Sequence, residues 1–246
     1  MKGLTADKSP VKSLDFCSVE PRVVAGSEDG TFCLWSMEDH SFESFGETCV
    51  LPRFYTRLKD FAFQQTAFSP RSCQIVTAVS RQGQQVLWDL RAAEPTSSLQ
   101  LGHQMNNCAW GSLNEHSILY VGSNAVFLVD LRKSSEQSIV KSFVLAEEAL
   151  SVEWSPFQES LFAVSGRNGM SLIMDSNAPA EQAIKFHHFS HTGDVHQIHW
   201  NPFEAWTLAS VSGNTENQTG CVQLWRPNAL ILMNDEEFET NVIRNL

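Results

Sequence analysis

The sequence has no long apolar run and few basic residues for its length of 246. No purely apolar stretch exceeds five residues, as in 229–233, whereas a membrane-spanning helix needs roughly 20. The first ten residues, MKGLTADKSP, lack the apolar core of a signal peptide. Only 17 Lys and Arg stand against 28 Asp and Glu, a net charge of −11, which argues against a domain that grips nucleic-acid phosphates. We therefore expect an intracellular chain with no membrane partner and no direct nucleic-acid partner.

Cysteine and histidine form no metal-binding or catalytic pattern. The six cysteines are scattered without a CxxC pair, as is typical of thiols that pack as small hydrophobes in a reducing compartment. Five of the eight histidines lie between His187 and His199, but His196 and His199 are three apart on a predicted strand and point to opposite faces. The motifs GxSxG, HExxH and GxxxxGK are absent. We expect no catalytic residue, no metal site and no cofactor.

What the sequence does contain is an internal repeat. Its hydrophobic fraction of 42% is sufficient for a packed core and excludes a disordered chain. Five segments end in an aromatic residue before a turn, and we call these residues the anchors: Phe16, Phe68, Trp110, Trp154 and Trp200. The anchors are separated by 52, 42, 44 and 46 residues. A second apolar segment follows each anchor, ending at Trp35, Trp88, Val129, Met174 and Trp225.

The spacing within the units predicts an all-β propeller. The second segment ends 19 or 20 residues after the anchor in four units, and 25 in the last. A third apolar run lies between the two, so each unit holds three or four short strands, as a propeller blade does. We expect a single propeller domain with five blades, at roughly 8–40, 58–93, 102–133, 145–177 and 190–227. An acidic tail, 228–246, follows the last blade.

Several motifs carry a resemblance to a known family. The pattern of an aromatic, Ser or Asn and Pro, followed later by Trp88-Asp89, resembles the WD-repeat family. Segment 200–206, WNPFEAW, and segment 234–237, NDEE, resemble the last repeat of the retinoblastoma-binding, MSI-like histone chaperones. That group's acidic, proline-containing insertion, which helps to hold a histone helix, is reduced here to 176–181.

The resemblance implies a function and a location. It suggests a non-enzymatic WD-repeat scaffold that binds a histone tail or another basic protein as one subunit of a multiprotein complex. Nuclear chromatin-modifying or assembly complexes are the implied setting, with the cytoplasm as a second location. It also implies that the acidic tail continues as a helix beside the propeller. A WD-repeat scaffold in an unrelated assembly is left open.

One propeller face carries candidate residues for binding a basic partner. The residue six before each anchor lies in the loop that enters the innermost strand, and these residues are Pro10, Ala62, Gln104, Glu148 and Asp194. Two consecutive units thus place a carboxylate at the same position, and Glu147 is adjacent to the first. In a protein of net charge −11 they would attract a basic peptide. We predict that Glu147, Glu148 and Asp194 bind its Lys or Arg side chains, with ordinary solvated acids as the alternative.

A second candidate surface comes from a repeated WDxR pattern. Trp88-Asp89-Leu90-Arg91 and its echo Asp130-Leu131-Arg132 resemble the box by which WD-repeat proteins dock on the adaptor of cullin–RING ubiquitin ligases. The resemblance makes Arg91 and Arg132 the main contacts, supported by Trp88, Asp89 and Asp130. A conventional repeat end, with the arginine capping the turn, explains the same residues.

The number of units raises a question about closure of the ring. Five units are visible, whereas the family resemblance implies a ring of seven blades. Two expectations follow: the chain forms a five-bladed ring, or it is the C-terminal part of a longer propeller. In the second case an open edge would expose apolar and unpaired groups and favour association.

Overall fold

The computed structural model describes residues 9–36, 54–92, 94–133, 137–214 and 219–227. The predicted acidic tail, 228–246, and its helix lie outside the described residues. Within the described parts, no helix is long and apolar enough to cross a membrane. Among the described residues, the strands are interrupted by one short 3-10 helix, Ala180–Gln182.

The strands form five antiparallel sheets, which confirms the predicted five-bladed propeller. The first blade contains β1 to β4: Val11–Phe16, Arg22–Ser27, Thr31–Ser36 and Phe54–Arg57. The second contains β5 to β8: Phe63–Ser69, Ser72–Ser80, Gln84–Asp89 and Ser97–Gln100. The third contains β9 to β12: Asn107–Trp110, Ser117–Gly122, Ala125–Asp130 and Ile139–Val144. The fourth contains β13 to β16: Ala149–Trp154, Leu161–Gly166, Ser171–Asp175 and Ile184–His188. The described part of the fifth contains β17 to β19: Asp194–Trp200, Leu208–Asn214 and Thr219–Trp225.

The repeat units found in the sequence correspond to the first three strands of each blade. In each of the first four blades, a fourth strand follows after the last repeated segment, as Ile139–Val144 does in the third blade. The side chains of that strand are mostly exposed, since Ile139, Val140 and Val144 all face solvent. These outer strands therefore carry no apolar alternation that sequence patterns could detect.

Each anchor occupies the same place in its blade. It pairs with the second strand at Phe16↔Val23, Phe68↔Val76, Trp110↔Ile118, Trp154↔Phe162 and Trp200↔Leu208. Because side chains alternate between the two faces of a strand, a shared register fixes which neighbouring blade each residue meets. We call the face that packs on the preceding blade the leading face, and the face that packs on the following blade the trailing face.

The core lies between consecutive blades. Four buried clusters fill the four interfaces, and the last is typical: Leu161, Ala163 and Ile173 of the fourth blade's trailing face pack on the fifth blade's leading face. There they meet Ile198 and Trp200, together with Leu208. Blades are thus joined by side-chain packing rather than by strand pairing.

Hydrogen bonds at the anchors reinforce this packing. The indole nitrogen of Trp110, Trp154 or Trp200 donates to a backbone carbonyl of the preceding blade, at 2.9, 3.2 and 3.3 Å. The phenylalanine anchor Phe68 has no indole, and its backbone N–H instead donates to Asp15 Oδ2 at 2.7 Å. Burial raises the pKa of Asp15, although this hydrogen bond opposes the rise.

The two outermost blade faces are exposed. Leu14 and Phe16, on the leading face of the first blade, have 54% and 65% of their surface exposed. Val222 and Leu224 project from the trailing face of the fifth blade, and Leu224 is 76% exposed. The first and fifth blades therefore do not bury these side chains against each other.

Candidate peptide-binding face

Glu148 and Asp194 lie on the same face of the propeller and converge on one arginine. Glu148 precedes β13, and Asp194 begins β17 in the next blade. Between them, Arg167 donates from Nε to Glu148 Oε2 at 2.9 Å and from its Nη1 to Asp194 Oδ2 at 2.5 Å. The structure thus brings together two of the three predicted carboxylates. It adds a cationic side chain of the chain itself.

The backbone holds Arg167 between the carboxylates. Arg167 lies at the tip of the β14–β15 hairpin, where its N–H donates to the carbonyl of Glu148 at 2.9 Å. Gly169 in the same tip has φ of +76°, and a Cβ there would lie 2.2 Å from the carbonyl oxygen of His191. Only glycine fits this left-handed, crowded position, so the tip has a fixed path beside the next blade.

The remaining carboxylate oxygens also accept hydrogen bonds. Glu148 Oε1 accepts from the amide of Asn106 in the third blade at 3.0 Å, and Asp194 Oδ1 accepts from the backbone N–H of Asn168 at 3.1 Å. The site therefore spans three blades. Glu147 lies beside Glu148 and is partly exposed.

The charges of the site leave an excess of negative charge. Partial burial raises the pKa of Glu148, but the hydrogen bonds from Arg167 and Asn106 outweigh it and hold the pKa below its ordinary value. The same two carboxylates raise the pKa of Arg167. One guanidinium thus faces two carboxylates. The Arg167 side chain is 51% exposed, so it lies at the solvent boundary.

The WDxR segment and its echo lie at the opposite face, where Asp89 and Asp130 end the third strands of their blades and Arg91 and Arg132 follow in the loops to the fourth strands. Arg91 binds Asp89 through both Nε and Nη2, and Arg132 binds Asp130 in the same way. The arginine hydrogen bonds lower the pKa of each aspartate to about 2. Both arginines are exposed.

Trp88 is not part of that surface. Its side chain is buried in the core between the first and second blades, where it stacks on Phe32 with centroids 5.0 Å apart. Its indole donates to the carbonyl of Ala92 at 3.1 Å, which shapes the turn that presents Arg91. Trp88 therefore acts on the loop of Arg91 through packing and through this hydrogen bond, not as an exposed contact.

The histidines stabilise the fifth blade. His191 is buried and bonds the hydroxyls of Ser212 and Ser210 at 2.8 and 2.6 Å, while Trp225 donates to Ser210 at 3.0 Å. His188 stacks on the Trp225 ring, with centroids 4.3 Å apart. In the part of the chain that the structure describes, no three His, Cys, Asp or Glu side chains group as metal ligands would.

Comparison with known proteins finds similarity to WD-repeat proteins. The model of the WD domain, G-beta repeat, matches residues 1–36. "WD-40 repeat-containing protein MSI4" of Arabidopsis thaliana is 28% identical over 92% of this chain and 52% of its own length. "Histone-binding protein MSI1" of Saccharomyces cerevisiae is 22% identical over 85% of this chain and 48% of its own length.

A third relative has a related name. "Histone acetyltransferase type B subunit 2" of Debaryomyces hansenii is 22% identical over 62% of this chain and 41% of its own length. The chain spans about half the length of the curated relatives it matches. These matches confirm the resemblance seen in the motifs: the chain is a five-bladed propeller that is similar to MSI-like WD-repeat proteins.

Proposed function

We propose that this chain is a non-enzymatic scaffold that binds a histone tail, or a similar basic segment, as a subunit of a nuclear chromatin complex. The observation that carries the proposal is the convergence of Glu148 and Asp194 from adjacent blades on one guanidinium. The arrangement fits an arginine or lysine side chain, because two carboxylates on neighbouring blades can share one cation.

Arg167 acts in this proposal as an internal stand-in for the partner's cation. An exposed ion pair contributes only about 0–1 kcal/mol, since water and salt screen it. A basic segment can therefore displace Arg167 at small cost and take its place between the two carboxylates. The excess of carboxylates over guanidinium in the site favours the incoming segment and steers its approach.

The comparisons support the choice of partner. One relative is named a histone-binding protein, and another a subunit of a histone acetyltransferase. The net charge of −11 is of the sign that attracts a basic tail. Nuclear location is proposed on the same basis.

A peptide titration tests the proposal. Labelled peptides of the histone H3 and H4 N-terminal tails are titrated with the chain and followed by fluorescence anisotropy. The double variant Glu148→Lys/Asp194→Lys should weaken binding by about tenfold or more, because two attractive charges become repulsive. Glu94→Lys is the matched control, since Glu94 is exposed in a loop of the opposite face and its change should leave the affinity unaltered. Unchanged affinity in the double variant contradicts the proposal.

The variant Arg167→Ala shows whether Arg167 competes with the partner's cation or holds the two carboxylates in place for it. If Arg167 occupies the place of the partner's cation, removing it should tighten tail binding by a few-fold. Weaker binding would instead mean that Arg167 orders the site. Binding should also weaken as salt is added, because the contacts are electrostatic.

The WDxR segment and its echo at 130–132 support a second candidate function. Arg91 and Arg132 repeat one ion-pair geometry on neighbouring blades and remain exposed, as a docking surface for the adaptor of a cullin–RING ligase would require. Co-purification with the adaptor should be lost in Arg91→Ala/Arg132→Ala. Retention of the adaptor by this variant, or its absence from the wild-type complex, rules the candidate out.

A further inference from the structure

A cavity of about 260 Å³ opens between the third and fourth blades, on the face opposite to the candidate peptide-binding site. It lies where the β9–β10 loop, 111–116, meets the β13–β14 loop, 155–160. Each of these two blades also packs on a described blade at its other side, so the cavity belongs to an inner interface and not to an end face. Sites for whole small molecules usually measure about 300–1,000 Å³, so this cavity fits a single side chain better than a cofactor.

Hydrogen bonds between the two loops form the walls of the cavity. The hydroxyl of Ser112 donates to the carbonyl of Ser155 at 2.8 Å, and the amide of Asn114 donates to Glu159 Oε1 at 2.9 Å. Gly111 begins the first loop, and a Cβ there would lie 2.2 Å from the carbonyl oxygen of Asn114. The loops therefore have fixed positions relative to each other, and the cavity is formed before any partner binds.

The lining of the cavity suits a long side chain with a polar end. Leu128 and Trp154 provide apolar surface, while serine and asparagine residues form most of the remaining lining. Leu128 keeps part of its surface accessible, whereas Ile173, at the equivalent register position of the fourth blade, is fully buried. Lysine and arginine have an aliphatic stem that packs on apolar surface while the charged end stays among polar groups.

The charge of the cavity is negative. Of the described residues that line it, Glu159 alone is charged, and its side chain is exposed. No Lys or Arg in the described parts of the chain forms an ion pair with Glu159. Lys141 reaches the same wall, but its ammonium donates to the carbonyls of Ser176 and Ala178 at 2.7 and 2.6 Å. Glu159 is therefore available to a cation from outside the chain.

Apolar side chains stand beside this carboxylate. Leu113 lines the cavity and is 45% exposed, and Phe157, in the same loop as Glu159, is 40% exposed. Each lies three residues after the anchor of its blade, Trp110 or Trp154. Large apolar side chains exposed around a polar cleft are typical of a surface that binds another protein.

We propose that this cavity binds a segment of a partner protein in which an arginine or lysine is flanked by apolar residues. The basic side chain enters the cavity and pairs with Glu159, while its apolar neighbours pack on Leu113 and Phe157. The chain's own tail is a poor occupant, because the four carboxylates between 235 and 239 would be repelled by Glu159. The site shares no residue with the Glu148 and Asp194 site and does not depend on the function proposed above.

Selection from a random heptapeptide library displayed on phage tests the proposal. The library is first depleted on immobilised Glu159→Lys and then selected on the wild-type full chain. The enriched peptides should carry one Arg or Lys between apolar residues. The most enriched peptide is then synthesised with a fluorescent label and titrated by anisotropy.

Substitutions in the cavity and on its rim should weaken binding of this peptide. Glu159→Lys and the double variant Leu113→Ser/Phe157→Ser should each weaken it by about tenfold or more, because the first repels the basic side chain and the second removes the apolar contacts. Glu159→Gln retains an acceptor for Asn114 but loses the charge, and it should still weaken binding several-fold. Glu181→Lys is the matched control, since Glu181 is exposed in the same blade outside the cavity, and its affinity should be unaltered.

The outcomes separate this site from the histone-tail site. Glu148→Lys/Asp194→Lys should bind the selected peptide as tightly as the wild type does, whatever its effect on tail binding. The proposal is overturned if no peptide with a basic residue is enriched, or if Glu159→Lys or Glu159→Gln retains wild-type affinity. Thermal unfolding confirms that each variant is folded, since the substituted side chains are exposed.

Discussion

The inner blade faces and the two end faces are built from the same residue pattern in different surroundings. Ile173 and Leu224 hold equivalent positions on the third strands of neighbouring blades. The first is fully buried and the second largely exposed. A repeat therefore specifies which side chains can form an interface, while the neighbouring blade determines whether they contribute to stability. The comparison can be tested by making the same change at both kinds of position.

A carboxylate introduced at Ile173 and at the equivalent Leu224 should give the largest difference in the free energy of unfolding. Ile173→Asp buries a carboxylate in an apolar interface and should lower the free energy of unfolding by about 4 kcal/mol or more, or prevent folding. Leu224→Asp should change it by only about 0.5 kcal/mol, because the side chain is exposed. Urea denaturation at low protein concentration measures both. Equal losses would contradict the assigned difference in burial.

Replacing a buried anchor and an exposed anchor by alanine should give a smaller difference in the free energy of unfolding. Trp200→Ala removes a buried indole and its hydrogen bond to the carbonyl of Glu153, at a cost of about 3–5 kcal/mol. Phe16→Ala removes an exposed ring from the leading face of the first blade and should cost about 1 kcal/mol or less. The same denaturation assay applies. A large loss for Phe16→Ala would mean that this anchor is covered in solution.

Two histidines of the fifth blade should give the smallest effects on the free energy of unfolding, with opposite dependence on pH. Burial, with a smaller contribution from His188, lowers the pKa of His191 from 6.5. His191 therefore stabilises the fold fully above pH 6.5 and loses this contribution as the pH falls below it. The hydrogen bond to Glu153 raises the pKa of His199 from 6.5, so its contribution is present below that pH and is lost as the pH rises through the folded-state pKa.

Unfolding free energies measured against pH separate the two histidines. His191→Gln should flatten the decline on the acid side of neutrality, and His199→Gln should flatten the decline on the alkaline side. A His191→Gln variant with the wild-type acid profile would show that this ring titrates normally.

The sequence predicted the parts of the fold that repeat. The anchors and the three inner strands recur at fixed spacing because each must bury the same side chains against the next blade. The presence of a fourth strand was left open, because its side chains are mostly exposed and follow no alternation that would locate it in the sequence. Of the site, Glu148 and Asp194 were predicted from their shared offset to the anchors. Arg167 was missed because a single arginine in a hairpin carries no motif. Arg81 of the second blade lies equally far after its own anchor, Phe68, as Arg167 does after Trp154.

The exposure of the end faces could not be predicted from residue patterns. Leu224 fits the buried position of the repeat as well as Leu128 does, and Phe16 fits the anchor position. What differs is that a described blade packs on Leu128, whereas no described blade covers Leu224.

Hydroxyl-radical footprinting of the dilute, unmodified protein tests the central comparison most directly. Mass spectrometry reports the oxidation rate of each side chain without any substitution. The account predicts rapid oxidation of Leu224, Leu14 and Phe16, with strong protection of Ile173 and Trp200. Equal protection of Leu224 and Ile173 in the dilute monomer would contradict it.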